Sequence, residues 1–325
     1  MFEERVLAIV LNYNGILFTK DLFLKTIDSL SKQNYKNLEI FVIDNNSSDK
    51  SVIKIEQKFP NIRIIQLKKN IATIGYNIGI SLFLKDKFDY LLLCNNDMLF
   101  NSDFVTEMVY FSKKVPEAGL ITPRIMMLSD KDVYNSTGII INKTGFAWDR
   151  NFNDRESVIG IPHSSEVAAA SGGAMFCTKE AIDSVKGFDP IYHAYYEDVD
   201  FSFRMRRITG KKIFYNSKAV CYHSFSMSWG ENPMKEFYMI RNRYIFILTH
   251  FELQSLIHSL RFMFFSVRHP IRRINRKIFF SLFILMPLIF FNRLKMVTHK
   301  PFSKDLLEKF AGFPTISTNK VQKMH

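Results

Sequence analysis

The sequence predicts an α/β protein, with an open, mostly parallel central sheet carrying helices on both faces and a helical C-terminal segment of different character. Three observations support this. Short apolar runs alternate four times with helical patterns over the first hundred residues. Three of those runs stop at polar clusters, as strands do whose carboxyl ends face a ligand. The charge balance then changes abruptly near residue 234.

Val6 to Leu11 is nearly all apolar, as a strand buried on both faces requires, and it ends at Asn12-Tyr13-Asn14-Gly15. Leu22, Leu24, Ile27 and Leu30 follow at close to helical spacing. Leu38 to Ile43 is a second strand, stopping at Asp44-Asn45-Asn46-Ser47-Ser48-Asp49, a turn and helix-cap composition. Ile62 to Leu67 is a third, followed by a loop from Asn70 to Tyr76 and a helix carrying Ile78, Ile80, Leu82, Phe83 and Leu84. Tyr90 to Cys94 is the fourth and ends at Asn95-Asn96-Asp97. No Gly-x-Gly-x-x-Gly follows the first strand and no Gly-x-x-x-x-Gly-Lys-Ser/Thr occurs anywhere, so a glycine-rich helix start is not the expected diphosphate holder. A divalent cation on a carboxylate is the other common device, and Asp97 is positioned for it.

Pro116 to Met127 reads as turn plus strand and Thr137 to Lys143 as a strand. Trp148 to Ser165 reads as a loop over a site or as a surface excursion. The small residues Ala168 to Ala174, with Gly172 and Gly173, suit a place where backbone approaches something closely. Lys212 to Asn216 and Ala219 to His223 read as two short strands. Between them, Tyr195 to Arg204 crowds Glu197, Asp198 and Asp200 among aromatic residues. Like charges this close raise one another's pKa, which suits proton transfer. The same acids also suit a helix first turn, with Asp200 and Arg204 at salt-bridge spacing.

The chain of 325 residues, 47% hydrophobic, is large enough for a substantial core in one or two domains. Cys94, Cys177 and Cys221 are odd in number and far apart, which disfavours disulfides and favours a reducing compartment. An acidic N-terminus predicts no export. Residues 1–234 carry 28 Lys+Arg against 27 Asp+Glu, whereas 235–325 carry 16 against 4. We therefore expect a catalytic domain over 1–234 and a basic, hydrophobic, helical membrane-associating region over 235–325. Arg268 to Lys277 is basic along one helix face, and the apolar run Ile278 to Phe291, at 14 residues, is short of the about 20 a span needs. This predicts an interfacial segment on an anionic membrane surface, with an ordinary helical subdomain or a homodimer interface as the competing reading. Apolar runs of this kind offer no stacking platform for bases, so nucleic acid is not an expected partner.

The ordered set Ile9 to Asn14, Val42 to Asp49, Asn77-Ile78-Gly79, Leu93 to Asp97, Ser171 to Ala174 and Gly187-Phe188-Asp189 through Tyr196-Glu197-Asp198-Val199-Asp200 to Arg204 resembles the family 2 glycosyltransferases. The likeness is closest to rhamnosyltransferase-like members that build bacterial surface polysaccharides, and it covers roughly residues 5 to 245. It implies a GT-A (Rossmann-like) fold and a nucleotide-diphosphate sugar donor. It implies donor contacts at Leu11, Tyr13, Asp44, Asn45, Asn77, Asn95, Asn96, Asp97, Gly172 and Gly173. It further implies Mn2+ or Mg2+ on Asp97 and His223, with Asp198 as general base and Glu197 beside it. The acceptor implied is a lipid-linked glycan at the cytoplasmic face of the membrane, with the enzyme peripheral. The chain departs from the family's Asp-x-Asp motif at its first position, where Asn95 stands.

With one base and no evident nucleophile, single inverting displacement is the expected chemistry. Asn95 motivates a different class, a non-catalytic nucleotide-sugar-binding protein. A metal-dependent nucleotidyltransferase is a third reading, disfavoured because no Gly/Arg/Lys-rich triphosphate loop follows the first strand.

Overall fold

A computed structural model describes residues 3–224, 233–252 and 273–297. The first half alternates as the sequence predicts: β1 (Val6–Asn12), α1 (Gly15–Thr19), α2 (Leu22–Ser31), β2 (Leu38–Asp44), α3 (Ser51–Lys58), β3 (Arg63–Gln66), α4 (Tyr76–Lys85) and β4 (Tyr90–Asn95). Then come β5 (Met98–Phe100), α5 (Phe104–Lys114), β6 (Ala118–Met127), β7 (Tyr134–Ser136), β8 (Ile139–Ile141), β9 (Ala147–Asp149), α6 (Glu156–Ile159) and β10 (Ser165–Val167). The remainder is β11 (Ala174–Thr178), α7 (Lys179–Val185), α8 (Glu197–Thr209), β12 (Lys212–His223), α9 (Pro233–His250) and α10 (Arg273–Val297).

The main sheet has the order β10-β12-β6-β11-β4-β1-β2-β3, with β5 paired to β12 and β7 to β6. Along that path only β10 and β11 run against the other six, so the sheet is mostly parallel. β1 is fully buried from Val6 to Val10, and its two faces feed separate apolar cores, Val6, Ala8 and Val10 on one side and Leu7 and Ile9 on the other. The register sets Asn12 beside Asp44 and Leu11 beside Asn95, so the polar strand ends lie level at one edge.

Three expectations change. The two short strands after residue 212 are one strand, β12, with an irregularity between Asn216 and Val220. Trp148 to Ser165 is more regular and more anchored than a loop or a plain excursion. It contributes the end of β9 and the short α6, and it is tied down by Arg155 to Asp130 and Asp132 and by Arg124 to Glu156. The composition change at residue 234 does not mark a break in packing. Tyr244 to Ile247 and Phe251 share a core with Tyr192, Tyr196, Val199 and Phe203.

Arg268 to Arg272 lie outside the described residues. Beyond them α10 runs 25 residues, roughly 37 Å at 1.5 Å per residue. Counting only the unbroken apolar run understated it: Arg276–Met296 has mean hydropathy 1.7 and is long and apolar enough to cross a membrane by length and composition. Ile278, Leu282, Ile289 and Met296 are buried, the first three in the core shared with α9, while Phe280, Phe283, Ile284, Phe290 and Phe291 face outward. The C-terminal end of α10 is moored by polar bonds. Asn292 donates to Asp189, Arg293 to the carbonyls of Leu248 and Phe251, and Arg207 to the carbonyl of Met296.

Candidate active site

The strand ends of β1, β2 and β4 are joined by side-chain amides. Asn12 Nδ2 donates to Asp44 Oδ1 (2.7 Å), and Asn96 Nδ2 donates to Asn12 Oδ1 (2.9 Å). Asp44 also accepts from the Ser47 amide and hydroxyl, which closes the turn after β2. Asn45 holds the following loop by donating to the Ala72 carbonyl and accepting from the Ile71 amide. Asp44, Asn45 and Asn96 are thus buried braces of the strand-end surface, while Tyr13 is exposed above it with its ring 6.1 Å from that of Phe18. Leu11 is partly buried among the residues beneath. Asn12, Asn14 and Tyr76 belong to this frame; the sequence put Asn12 and Asn14 in the first strand-end motif but gave Tyr76 no role. Tyr76 is buried with its hydroxyl 3.3 Å from Asn95 Oδ1, and burial first, then the nearby Cys94, Asp97 and Glu197, keep it protonated.

Asp97 follows β4 at the base of this surface, almost fully buried. Its Oδ1 stands 3.2 Å from His223 Nε2 at the end of β12, yet accepts no hydrogen bond. His223 Nδ1 lies 2.9 Å from Asn135 Oδ1; a proton carried on Nδ1 in that contact would leave the Nε2 lone pair for a cation beside the carboxylate. Adjacent ligands of an octahedral ion at 2.0–2.1 Å are about 3 Å apart, so this pair fits one edge of a Mn2+ or Mg2+ shell. Among the described residues no three His, Cys, Asp or Glu side chains gather as a metal cluster, so other ligands would come from diphosphate or water.

The second wall is the start of α8. Tyr195 and Tyr196 both have positive φ, 66° and 67°, a conformation that costs bulky residues energy. It is held from α9: Asn242 Nδ2 lies 2.7 Å from the carbonyls of Tyr192, Ala194 and Tyr195, and Arg241 donates to those of Ile191 and Tyr192. The strained turn delivers Glu197 and Asp198. Asp198 Oδ2 accepts from the Gly172 amide at 2.8 Å and Oδ1 from the Val199 amide at 2.8 Å. Burial raises the Asp198 pKa to about 6 against those two bonds. Burial, then the charge of Asp198, raises Glu197 well above the usual range, and Glu197 Oε2 has no hydrogen-bond partner. Asp200 differs: burial would raise it, but Arg204 at 2.6 Å and His250 at 2.8 Å hold it low.

Gly172 is favoured by proximity, since a Cβ there would lie 3.0 Å from Asp198 Oδ2 and the carboxylate would have to give way. Gly173 meets nothing so close, and its carbonyl accepts from the Asn95 amide. Asn77 is placed differently from the other expected donor contacts. Its amide is spent on both backbone groups of Phe188, beneath the Gly187 turn where φ is +142°.

A level strand-end surface with an acid–imidazole pair can hold a nucleotide diphosphate through a cation, and the partly buried carboxylate at the start of α8, with its raised pKa, can take a proton. A model of "Glycosyl transferase family 2" matches residues 8–165, and one of "Glycosyl transferase family group 2" matches residues 90–303. The chain belongs to the family 2 glycosyltransferases, and it is an enzyme of the glycosyltransferase class. It is 24% identical over 228 residues to an N-acetylglucosaminyl-diphospho-decaprenol L-rhamnosyltransferase of Mycobacterium tuberculosis, covering 63% of this chain and 72% of that one. Among solved structures it resembles S. aureus TarS 1-349 (TM-score 0.56, 16% identity, 99% of this chain and 92% of that one). The same TarS segment in complex with UDP-GlcNAc matches at 0.55, 16% identity, over 94% and 90%. GalNAc-T7 with UDP, GalNAc and Mn2+ matches at 0.59 and 14% identity over 76% of this chain, which spans 48% of that protein. These structural likenesses show a GT-A fold.

Proposed function

We propose that this glycosyltransferase moves a sugar, rhamnose being the one its relative's name suggests, from a nucleotide diphosphate to a hydroxyl of a lipid-linked glycan, with inversion. The observation that carries the reading is Asp198: a partly buried carboxylate with a raised pKa, fixed by the Gly172 amide. Leu11, Tyr13, Asp44 and Asn45 frame the nucleoside, and Asn95 to Asp97 with Gly172 and Gly173 border the diphosphate. Asp97 and His223 would hold Mn2+ or Mg2+, which when bound neutralises the leaving diphosphate. The acceptor oxygen bonds to the anomeric carbon as the bond to the diphosphate oxygen breaks, and the hydroxyl proton passes to Asp198. Glu197, held largely protonated, does not compete as base. Asn95 leaves one carboxylate at the metal, which weakens metal affinity without removing it.

The enzyme works at the cytoplasmic face, peripherally. In this division residues 1–234 carry the donor site and residues 235–325 the membrane contact, although α9 also braces the site. The outward phenylalanines of α10 lie in the lipid interface with Arg276, Lys277 and Lys295 toward anionic headgroups. Because the end of α10 is bonded to the globular part, we read it as lying along the surface and not crossing it.

The test is incubation with dTDP-rhamnose or UDP-GlcNAc, Mn2+ and N-acetylglucosaminyl-diphospho-decaprenol. Acceptor-dependent release of nucleoside diphosphate supports the proposal. Binding without release supports a non-catalytic nucleotide-sugar protein, and pyrophosphate release supports a nucleotidyltransferase.

A further inference from the structure

Asn292, near the end of α10, makes its side-chain hydrogen bond away from the strand-end surface, yet a chain of bonds runs from it to the proposed base. Its Nδ2 donates to Asp189 Oδ2 at 2.6 Å, joining residues 103 apart in the sequence. Asp189 Oδ1 accepts the Ile191 amide at 3.0 Å, and the Asp189 carbonyl accepts the Tyr192 amide at 3.2 Å. Side chain and backbone of Asp189 thereby close a turn, and Pro190 inside it fixes φ and leaves few ways to relax. The carbonyls of Ile191 and Tyr192 accept from Arg241, and Asn242 spans those of Tyr192, Ala194 and Tyr195. The positive-φ residues Tyr195 and Tyr196 come next, and then Glu197 and Asp198.

Residues 187–196 are held section by section from different elements. Arg204 of α8 donates to the Gly187 carbonyl at 2.9 Å, Asn77 of α4 takes both backbone groups of Phe188, and Thr73 donates to the His193 carbonyl at 2.7 Å. Among the described residues, Asn292 is the side chain that reaches the Asp189 carboxylate from outside the turn. Asn292 is itself fixed. Arg293 beside it donates to the carbonyls of Leu248 and Phe251 at 2.8 and 2.9 Å, and Arg207 of α8 donates to that of Met296 at 2.6 Å. A donor on a held helix end and an acceptor in a closed turn make a bond whose place is set from both sides. The Asp189 carboxylate is partly buried, so losing its donor would leave a poorly solvated oxygen, and the turn would shift to find water.

We propose that Asn292 is a positioning residue for transfer: through Asp189 it fixes the turn over residues 187–196, and so the direction in which Asp198 meets the acceptor hydroxyl. The end of α10 is then part of the catalytic apparatus without touching substrate. The proposal rests on the reading of Asp198 as the base.

The test uses the full-length protein with dTDP-rhamnose or UDP-GlcNAc, Mn2+ and N-acetylglucosaminyl-diphospho-decaprenol. Wild type is compared with Asn292→Ala, Asp189→Ala, the two together, Asn292→Asp, and the exchange of Asn292→Asp with Asp189→Asn. Asn292→Ala lowers kcat about tenfold, the scale expected of a slightly displaced base, while the donor KM moves less than about threefold. The acid limb of its rate profile shifts to higher pH, because Asp198 loses part of the Gly172 bond that favours its ionised form. In the Asp189→Ala background the same change has less than about a twofold further effect, because its route is gone. The exchange reverses the bond, with an amide at 189 that donates to a carboxylate at 292 and keeps an oxygen for the Ile191 amide. It restores kcat to within about threefold of wild type, against a loss of about tenfold or more for Asn292→Asp alone. That comparison decides the matter if the alanine variants do not fold. An Asn292→Ala kcat within about twofold of wild type, an equal fall in the Asp189→Ala background, or no recovery in the exchange overturns the proposal. So does a lowered melting temperature with kcat per folded molecule and the acid limb unmoved. Wild type that releases no nucleoside diphosphate, or Asp198→Asn that keeps the wild-type rate, overturns the proposed function itself, and this inference with it.

Discussion

The Gly172 amide donates to Asp198 Oδ2 at 2.8 Å, and this bond joins the loop before β11 to the first turn of α8. It aims the carboxylate and stabilises its ionised form. Asp198→Asn is expected to lower transfer by about 10²–10⁴ while changing nucleotide affinity less than about twofold. Gly172→Ala sets a methyl 3.0 Å from the same oxygen, so the carboxylate must shift by a few tenths of an ångström. Transfer should fall about tenfold or more with little loss of melting temperature. Steady-state rates with thermal unfolding check both.

The pKa of Asp198, about 6, sits above its ordinary 3.8. Transfer should therefore fall tenfold per pH unit below about 6. The stability effect has a definite sign. Between about 4 and 6 the folded protein keeps a proton that the unfolded chain has released, so stability declines as pH rises through that window and then levels off. Glu197, also raised, acts in the same direction. Asp198→Asn should stabilise the fold by about 1–3 kcal/mol above pH 6 and by less at pH 5, read as melting temperatures at the two pH values.

Asp97 and His223 face each other with no hydrogen bond on Asp97 Oδ1. Asp97→Asn and His223→Ala should weaken Mn2+-dependent binding of nucleoside diphosphate by about tenfold or more. Asn135→Ala, which frees the histidine tautomer, should weaken it by about 10–100-fold. Titration calorimetry with Mn2+ and with chelator separates these effects from loss of the nucleoside pocket, which would lower both values.

Asn242 holds the strained Tyr195–Tyr196 turn through three carbonyls. Asn242→Leu should cost about 2–4 kcal/mol and lower transfer even in detergent solution, because the turn that aims Asp198 loosens. Unchanged activity in denaturant-matched assays would show that the turn holds itself.

Phe280 and Phe283 are 68% and 75% exposed, whereas Ile278 and Leu282 on the same helix are buried. The paired change Phe280→Ser and Phe283→Ser should leave folding intact and reduce sedimentation with anionic vesicles severalfold. Sedimentation equal to wild type sinks the interfacial reading. A fall in oligomeric state with unchanged vesicle binding would mark this face as a subunit interface.

Strand runs, their polar ends and the order of the family's motifs are local properties, and the sequence alone determined them. Val6 to Leu11 reads as a buried strand because every residue is apolar, and Asp44 and Asp97 read as site residues because they end such runs. The split roles of Glu197, Asp198 and Asp200 were only partly legible, through the spacing of Asp200 and Arg204. The Gly172 amide and His250, the partners that make the three acids unlike, come from elements 26 and 50 residues away. The tail shows the same limit. Composition marked residues 235–325 as basic and apolar, but packing decided that α9 braces the catalytic turn while α10 keeps an open face, because burial depends on which faces meet and not on how apolar each one is.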